Sequence, residues 1–493
     1  MTFRTFARSS IFAGAVALAV VLLGDLLPAF AAEEGHAEGG HSDPFTFVLL
    51  ELAVILGVAL LGRYTAGLLN QSSVLGELLA GVILGNVGYW LGLPLFRLIM
   101  HLGEAGQIYR EVWLSGVSVT EAAAQVLQGP LGERLGPELA ALMTGPQGPQ
   151  LILMAVAVAM FSSLGVIVLL FMVGLESSVS EMKKVGGSAL AVAVVGVVAP
   201  FALGFGVTLW LEPDQSTPAH LFVAATLCAT SVGITARVFK DLGKLQTSEA
   251  KVILGAAVID DVLGLVILAV VVGIVTTGAV DLGHASRITV SAIAFLGAVV
   301  LFGERLVRAA APLVESLDRH HGKLMLPLAL CFLLAWVANL IELAAIVGAF
   351  AAGLIVSEEY FSPETGKHTV EELLRPLEAI FAPVFFVLMG MQVNLAAFAD
   401  PSTLLLAASL TVVAILGKLV AGWAAGAGRD HISVGIGMVP RGEVGLIFAS
   451  IGKGLGVVDE KVFSAIVVMV MLTTLATPLA LRWSLFRTPE SEI

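Results

Sequence analysis

Two adjacent carboxylates, Asp260 and Asp261, sit near the middle of an apolar run from Val252 to Val272. A run of about 20 apolar residues is long enough to cross a bilayer as a helix. A charged Asp at the centre of such a helix costs about 2.5–3.5 kcal/mol on insertion scales, so two in succession do not persist against lipid. Their side chains project about 100° apart around the helix axis, so one can face a wet cavity while the other meets a neighbour. An acid inside a membrane is by default a site for an ion or a proton. The alternative is a buried pair held protonated or neutralised for structure alone. Lys418 is the deep cation, within the apolar run from Leu404 to Ala425. An unpaired ammonium there is costly, so Lys418 is expected to face a carboxylate. The simplest pairing is with Asp260, leaving Asp261 for a cation. The alternative is that Lys418 extends its stem to the membrane surface.

A small hard cation needs oxygen ligands. An ionised Asp261 supplies them, and a proton on the same carboxyl excludes the cation. The stretch Ala229-Thr-Ser-Val-Gly-Ile-Thr-Ala-Arg237 is loose with hydroxyls and Gly233. Thr230 and Ser231, with backbone carbonyls freed by an interrupted helix, are candidates for the rest of the cation shell. Their alternative role is as small residues for close helix packing. A second irregular stretch, Gly435 to Gly445, contains Pro440-Arg441-Gly442-Glu443. Pro440 and Gly442 break the helix there. Arg441 and Glu443 are expected to pair locally, as a structural clamp. Arg237 and Lys240 lie near a helix end, where an interfacial role is the default. Glu77 and Glu176 flank other spans, as pathway residues or as interface caps.

The elements that must hold these groups are spans. Of 493 residues, 58% are apolar and 13% charged. A soluble domain is about 45–50% apolar and about 25% charged, so the chain is an all-α polytopic membrane protein. Spans are expected near 45–62, 72–90, 150–174, 185–211, 219–239, 250–275, 286–308, 323–341, 343–357, 376–396, 402–424, 432–453 and 461–482, about thirteen by the length rule. Arg63, Lys240, Lys244, Arg305, Arg308, Lys323, Arg429 and Arg482 then fall on alternate connections, as the positive-inside rule requires for a start outside and a C-terminus inside. Thirteen spans divide into six, a linker and six, the second half inverted relative to the first. The irregular stretches fall in the fifth span of each half, the pattern that marks a midplane site in secondary transporters. The expected segments are 45–285 and 323–482 for the halves, 286–322 for the linker and 483–493 for a short cytoplasmic tail.

Residues 1–32 resemble a signal peptide: Arg4 and Arg8, a short apolar core from Ile11 to Leu23, and Ala29-Phe30-Ala31 as cleavage site. Residues 33–44 form an acidic extracytoplasmic tail. Residues 91–149 are a long outer insertion, with an amphipathic stretch from Val117 to Leu127, expected to hold one or two surface helices as a structural cap. The formal net charge is −12 and no basic run suggests nucleic acid. Cys228 and Cys331 both lie in apolar spans, as packing residues. There is no nucleophile–base constellation or nucleotide motif, so neither an enzyme nor a cofactor is expected.

Six stretches in order carry a resemblance: 74–85 (Val-Leu-Gly-Glu-Leu-Leu-Ala-Gly-Val-Ile-Leu-Gly), 165–176, 230–237, Ile259-Asp-Asp-Val-Leu-Gly264, 346–355 and Met438-Val-Pro-Arg-Gly-Glu-Val-Gly445. On these the chain resembles the monovalent cation:proton antiporter-2 family, which holds NapA-type sodium/proton antiporters and Kef-type potassium/proton systems. The resemblance implies a NapA/NhaA-like fold with a 6+1+6 inverted repeat and two discontinuous crossing helices. It implies a homodimer in the bacterial inner membrane and a mobile six-helix core. Asp261 would carry sodium or a proton, and Asp260 would pair with Lys418, an arrangement associated with electrogenic exchange. Kef-type members have Gln-Asp in place of Asp-Asp, and a C-terminal nucleotide-binding domain. Potassium/proton exchange, or a membrane sensor that kept the fold without transporting, are the competing expectations.

Overall fold

The computed structural model describes residues 44–487 apart from 70, 128, 176–178, 278–281, 319–320, 362–367 and 396–400. The signal-like segment and Glu176 therefore lie outside the described residues, as does the acidic tail but for Pro44. In chain order the helices are α1 (Pro44–Leu68), α2 (Ser73–Trp90), α3 (Pro94–Met100), α4 (Leu102–Ser115), α5 (Val119–Val126), α6 (Gly129–Thr144), α7 (Gly148–Leu175) and α8 (Val179–Leu211). Then come α9 (Thr217–Thr226), α10 (Val232–Asp241), α11 (Ser248–Thr277) and α12 (Leu282–Ala298), which runs through a π turn, Val299–Gly303, into α13 (Glu304–Leu317). The remainder are α14 (Gly322–Leu340), α15 (Ala345–Ile355), α16 (Val370–Met391), α17 (Pro401–Trp423), α18 (His431–Gly437), α19 (Glu443–Gly454) and α20 (Glu460–Arg487). An all-helical chain is what a bilayer demands, since each helix satisfies its own backbone groups.

Among the described residues, 10 helical stretches are long and apolar enough to cross a membrane. Three expected spans take another form. Residues 219–239 become α9 and α10 with a break between, 432–453 become α18 and α19 with a break, and 343–357 contain the short α15. The span expected at 376–396 begins earlier, at Val370, and ends at Met391. Hydropathy alone missed this start because Glu371, Glu372 and Arg375 occupy its first turns.

The chain forms two compact units, one of Met1–Ser163, Pro383–Leu404 and Ser450–Val468, the other of Leu164–Ala382, Leu405–Ala449 and Met469–Ile493. In the first, small residues let helices touch backbone to backbone. A Cβ on Gly62 would lie 2.4 Å from the Gly76 carbonyl oxygen, and one on Gly81 2.2 Å from that of Val387. Buried Asn86 of α2 donates to the carbonyls of Val82 and Val393 and accepts from the Leu395 amide. It thereby satisfies backbone left open past the end of α16.

The insertion holds four helices, α3 to α6, where one or two were expected. Gly116 ends α4 at φ +67°. A reciprocal box between Ser118 and Glu121 starts α5, and these bonds hold the exposed Glu121 carboxyl below the usual range. Arg97 of α3 meets Glu138 of α6 at 2.7 Å. Phe96, Ile99, Ile108, Ala122 and Leu139 are buried in one cluster with Phe47 and Ile55 of α1 and Met154 of α7. The short helices escape a hydropathy reading because each is shorter than the about 20 residues a membrane crossing needs.

In the second unit α11 packs along α8, and both meet α9. Close approaches again fix the helices: a Cβ on Gly417 of α17 would lie 2.8 Å from Pro200 of α8, and one on Gly422 2.0 Å from the His431 carbonyl oxygen of α18.

Candidate functional site

The second unit contains two interrupted helices whose breaks touch. The first break is 227–231, between α9 and α10; the second is 438–442, between α18 and α19. Pro440 explains the second: it lacks an amide hydrogen and pushes Val439 out of helical geometry. No proline lies in the first, whose backbone and Thr230 hydroxyl are instead engaged by carbonyls of the second break and of the helix before it. The Ser231 amide donates to the Pro440 carbonyl at 2.8 Å, the Thr230 hydroxyl to that of Met438 at 3.3 Å, and the Thr235 hydroxyl to that of Gly437 at 2.7 Å. Gly233, read from sequence as part of the break, lies in the first helical turn of α10. It is the small residues before it that are unwound.

Arg441 fills the crossing. Its guanidinium is fully buried and donates to the carbonyls of Met438 and Val439 at 3.1 and 2.9 Å and to that of Leu227 at 2.7 Å. These are the open C-terminal carbonyls of α18 and α9, so one fixed cation satisfies both half-helix ends. The Thr474 hydroxyl of α20 donates to the Arg441 carbonyl. The expected partner, Glu443, has a side chain outside the described residues; the clamp that can be described is built from backbone carbonyls.

The continuous helix α11 brings the two carboxylates to this crossing, and α17 brings the lysine. The Lys418 ammonium lies 3.2 and 3.5 Å from the two Asp260 oxygens and 2.8 Å from the Cys228 carbonyl oxygen in the first break. Asp260 and Lys418 are both fully buried, and Asp261 retains 6% exposure. Lys418 therefore faces inward rather than reaching for the membrane surface. Gly196 of α8 leaves it room, since a Cβ there would sit 3.3 Å from the ammonium.

Thr230 interacts with Asp260 as well as with Met438, so its hydroxyl is committed. Ser231 is the N-cap of α10 yet makes no side-chain capping bond. Its buried hydroxyl has no hydrogen-bond partner among the described residues. The site thus combines a neutralised pair, Asp260 with Lys418, a second carboxylate beside it, an uncommitted hydroxyl and a structural guanidinium. Such a set can hold one cation or one proton at Asp261 without disturbing the pair.

Arg237 and Lys240, expected only near a helix end, are engaged within the fold: both pair with Glu378 of α16, at 3.1 and 2.9 Å, and Arg237 also pairs with Asp241 at 3.0 Å. Glu378 was missed, although a lone acid beginning the apolar run at 377–391 is a visible signal. Glu51, a buried carboxylate of α1, was also passed over. Glu77, in the first unit, is fully buried with Arg63 at 3.5 Å. Neither Glu51 nor Glu77 belongs to the described crossing.

This geometry can be set beside known proteins. The model of the transmembrane sodium/hydrogen exchanger family matches residues 116–487. The chain belongs to that family. It is 37% identical over 442 residues to the high-affinity Na+/H+ antiporter NhaS3 of Synechocystis sp., covering 88% of this chain and 89% of the relative. It is 36% identical to the Na+/H+-K+ antiporter GerN of Bacillus cereus over 66% of this chain and 82% of that one. A third relative, the Na+/H+ antiporter of Enterococcus hirae, is 31% identical over 66% and 84%. The solved sodium proton antiporter MjNhaP1 of Methanocaldococcus jannaschii aligns with a TM-score of 0.53 at 14% identity, over 90% of this chain and 97% of its own. That likeness is one of fold.

Proposed function

We propose that this membrane protein exchanges a monovalent cation, sodium foremost, for protons by alternating access. The observation that carries the reading is the fully buried Asp260–Lys418 pair, 3.2 Å apart at the crossing of two broken helices, with Asp261 as the next residue. Cation/proton exchange is also what the family and its antiporter relatives favour. Asp261 is the carrier: ionised it ligates sodium, with the Ser231 hydroxyl and break carbonyls as further oxygens, and protonated it releases it. Lys418 keeps Asp260 neutralised throughout, so the binding step involves one carboxyl. One carboxyl holding either one sodium or one proton exchanges the two one for one and moves no net charge; electrogenic exchange requires a second proton, taken up and released elsewhere in the cycle.

The two broken helices support a 6+1+6 inverted repeat, each being the fifth element of its proposed half, 45–285 and 323–482. On this reading α9/α10, α18/α19 and α15 supply the three crossings that bring ten continuous spans to thirteen. On the positive-inside rule the basic connections favour a C-terminus in the cytoplasm of a bacterial cell, and the working form on this reading is a homodimer. The name of GerN favours potassium as a second cargo.

The test is proton flux in proteoliposomes with sodium, lithium and potassium gradients. Asp261→Asn is expected to abolish cation-dependent flux while the thermal unfolding profile stays intact. Unchanged flux in that variant removes Asp261 as carrier, and absence of cation-driven flux in the parent protein removes exchange altogether.

A further inference from the structure

The buried cluster of Arg237, Lys240, Asp241 and Glu378 lies outside the carboxylate site. Arg237 is 6% and Glu378 4% exposed. Each Glu378 oxygen takes one cation from α10: Oε1 accepts from Arg237 at 3.1 Å and Oε2 from Lys240 at 2.9 Å. Positions 237 and 240 are three apart and share a helix face, so one carboxylate grips two points on that face. Asp241 braces the Arg237 side chain from the following turn, at 3.0 Å.

The position of this grip matters. α10 has 10 residues and begins directly after Ser231. Arg237 stands about 9 Å along the axis from Ser231 at 1.5 Å per residue. On its N-terminal side the chain is unwound through 227–231, so helix continuity with α9 does not set where α10 sits. Its register is set by contacts with neighbouring elements, among them the Ser231 amide to the Pro440 carbonyl and Thr235 to the Gly437 carbonyl at the crossing, and the Glu378 grip at the far end. Taking charges out of water costs several kcal/mol per ion, and well-packed apolar groups usually stabilise as much. What a buried ion cluster adds is a single geometry, because any displacement leaves charges uncompensated.

We propose that Glu378 is a positioning residue for the exchange site. Through Arg237 and Lys240 it holds α10, and with it the Ser231 hydroxyl and Thr230, in the register at which the cation binds. This inference rests on the exchange reading given above. It predicts that weakening the grip changes affinity for the cation rather than the maximal rate.

The experiment compares the parent protein with Glu378→Gln and Glu378→Asp, both in proteoliposomes over a sodium series. Glu378→Gln is expected to raise the apparent KM for sodium about five- to tenfold, the span of a modest coupling between sites, with maximal rate within about twofold. Glu378→Asp keeps the charge but shortens the arm, and is expected to raise KM with an unaltered melting temperature. A merely structural role moves melting temperature and leaves KM alone. A folded Glu378→Gln with the parent KM therefore overturns the proposal. Should Glu378→Gln not fold, Glu378→Asp decides alone, a parent-like KM counting against. If the parent itself shows no sodium-driven flux, the function has failed and not this positioning role.

Discussion

Lys418 is the residue whose contacts say most about the chemistry. Its ammonium touches Asp260 and the Cys228 carbonyl and nothing of it reaches solvent. Removing one member of a buried pair typically costs about 3–5 kcal/mol, because the survivor is left charged in a dry place. Lys418→Gln is therefore expected to lower the melting temperature clearly. The double variant Asp260→Asn with Lys418→Gln is expected to regain much of that loss, since two neutral amides leave no orphaned charge. Thermal unfolding of the four proteins in the cycle measures this; an additive double variant shows that the two residues do not interact. With Asp261 as the proposed carrier, cation flux should survive better in the double than in Asp261→Asn.

At the scale of elements, close approach between helices sets the site. α17 meets α8 and α18 through glycines, and Gly422 is one turn beyond Lys418. A Cβ at Gly422 would stand 2.0 Å from a backbone oxygen of His431. Backbone cannot step aside as a side chain can, so Gly422→Val is expected to destabilise by at least about 1–3 kcal/mol. It should also reduce flux by shifting the turn that carries Lys418. Gly206 of α8 is the contrast, with nothing within 4 Å of its Cβ position. Gly206→Ala is expected to be neutral or to stabilise by up to about 1 kcal/mol. Parallel melting curves test the pair, and equal behaviour of the two variants contradicts this account.

At the scale of the molecule, the proposed exchange has proton and cation compete for one carboxyl. Cation binding to an acid must displace its proton, so affinity depends on pH. Below the carrier's own pKa the apparent KM for sodium should rise about tenfold for each pH unit of acidification, with the maximal rate nearly constant. Above it the KM should become flat. A KM independent of pH across the active range argues that two separate sites carry the two ions. The family membership and the antiporter relatives support cation/proton exchange itself.

Much of this was legible in the sequence because a bilayer is an unforgiving solvent. Apolar length marks the spans, and an acid or lysine inside one stands out against that background, which is why Asp260, Asp261, Lys418 and the Pro440 break could be named beforehand. What the chain order could not express is distance between remote segments. The Lys418 contact with Cys228, the reach of Arg441 to the Leu227 carbonyl, and the bonds of Glu378 to Arg237 and Lys240 join residues 138 to 214 positions apart. The insertion's four helices were hidden for a related reason: short helices acquire their stability from the tertiary cluster they bury into, not from their own composition.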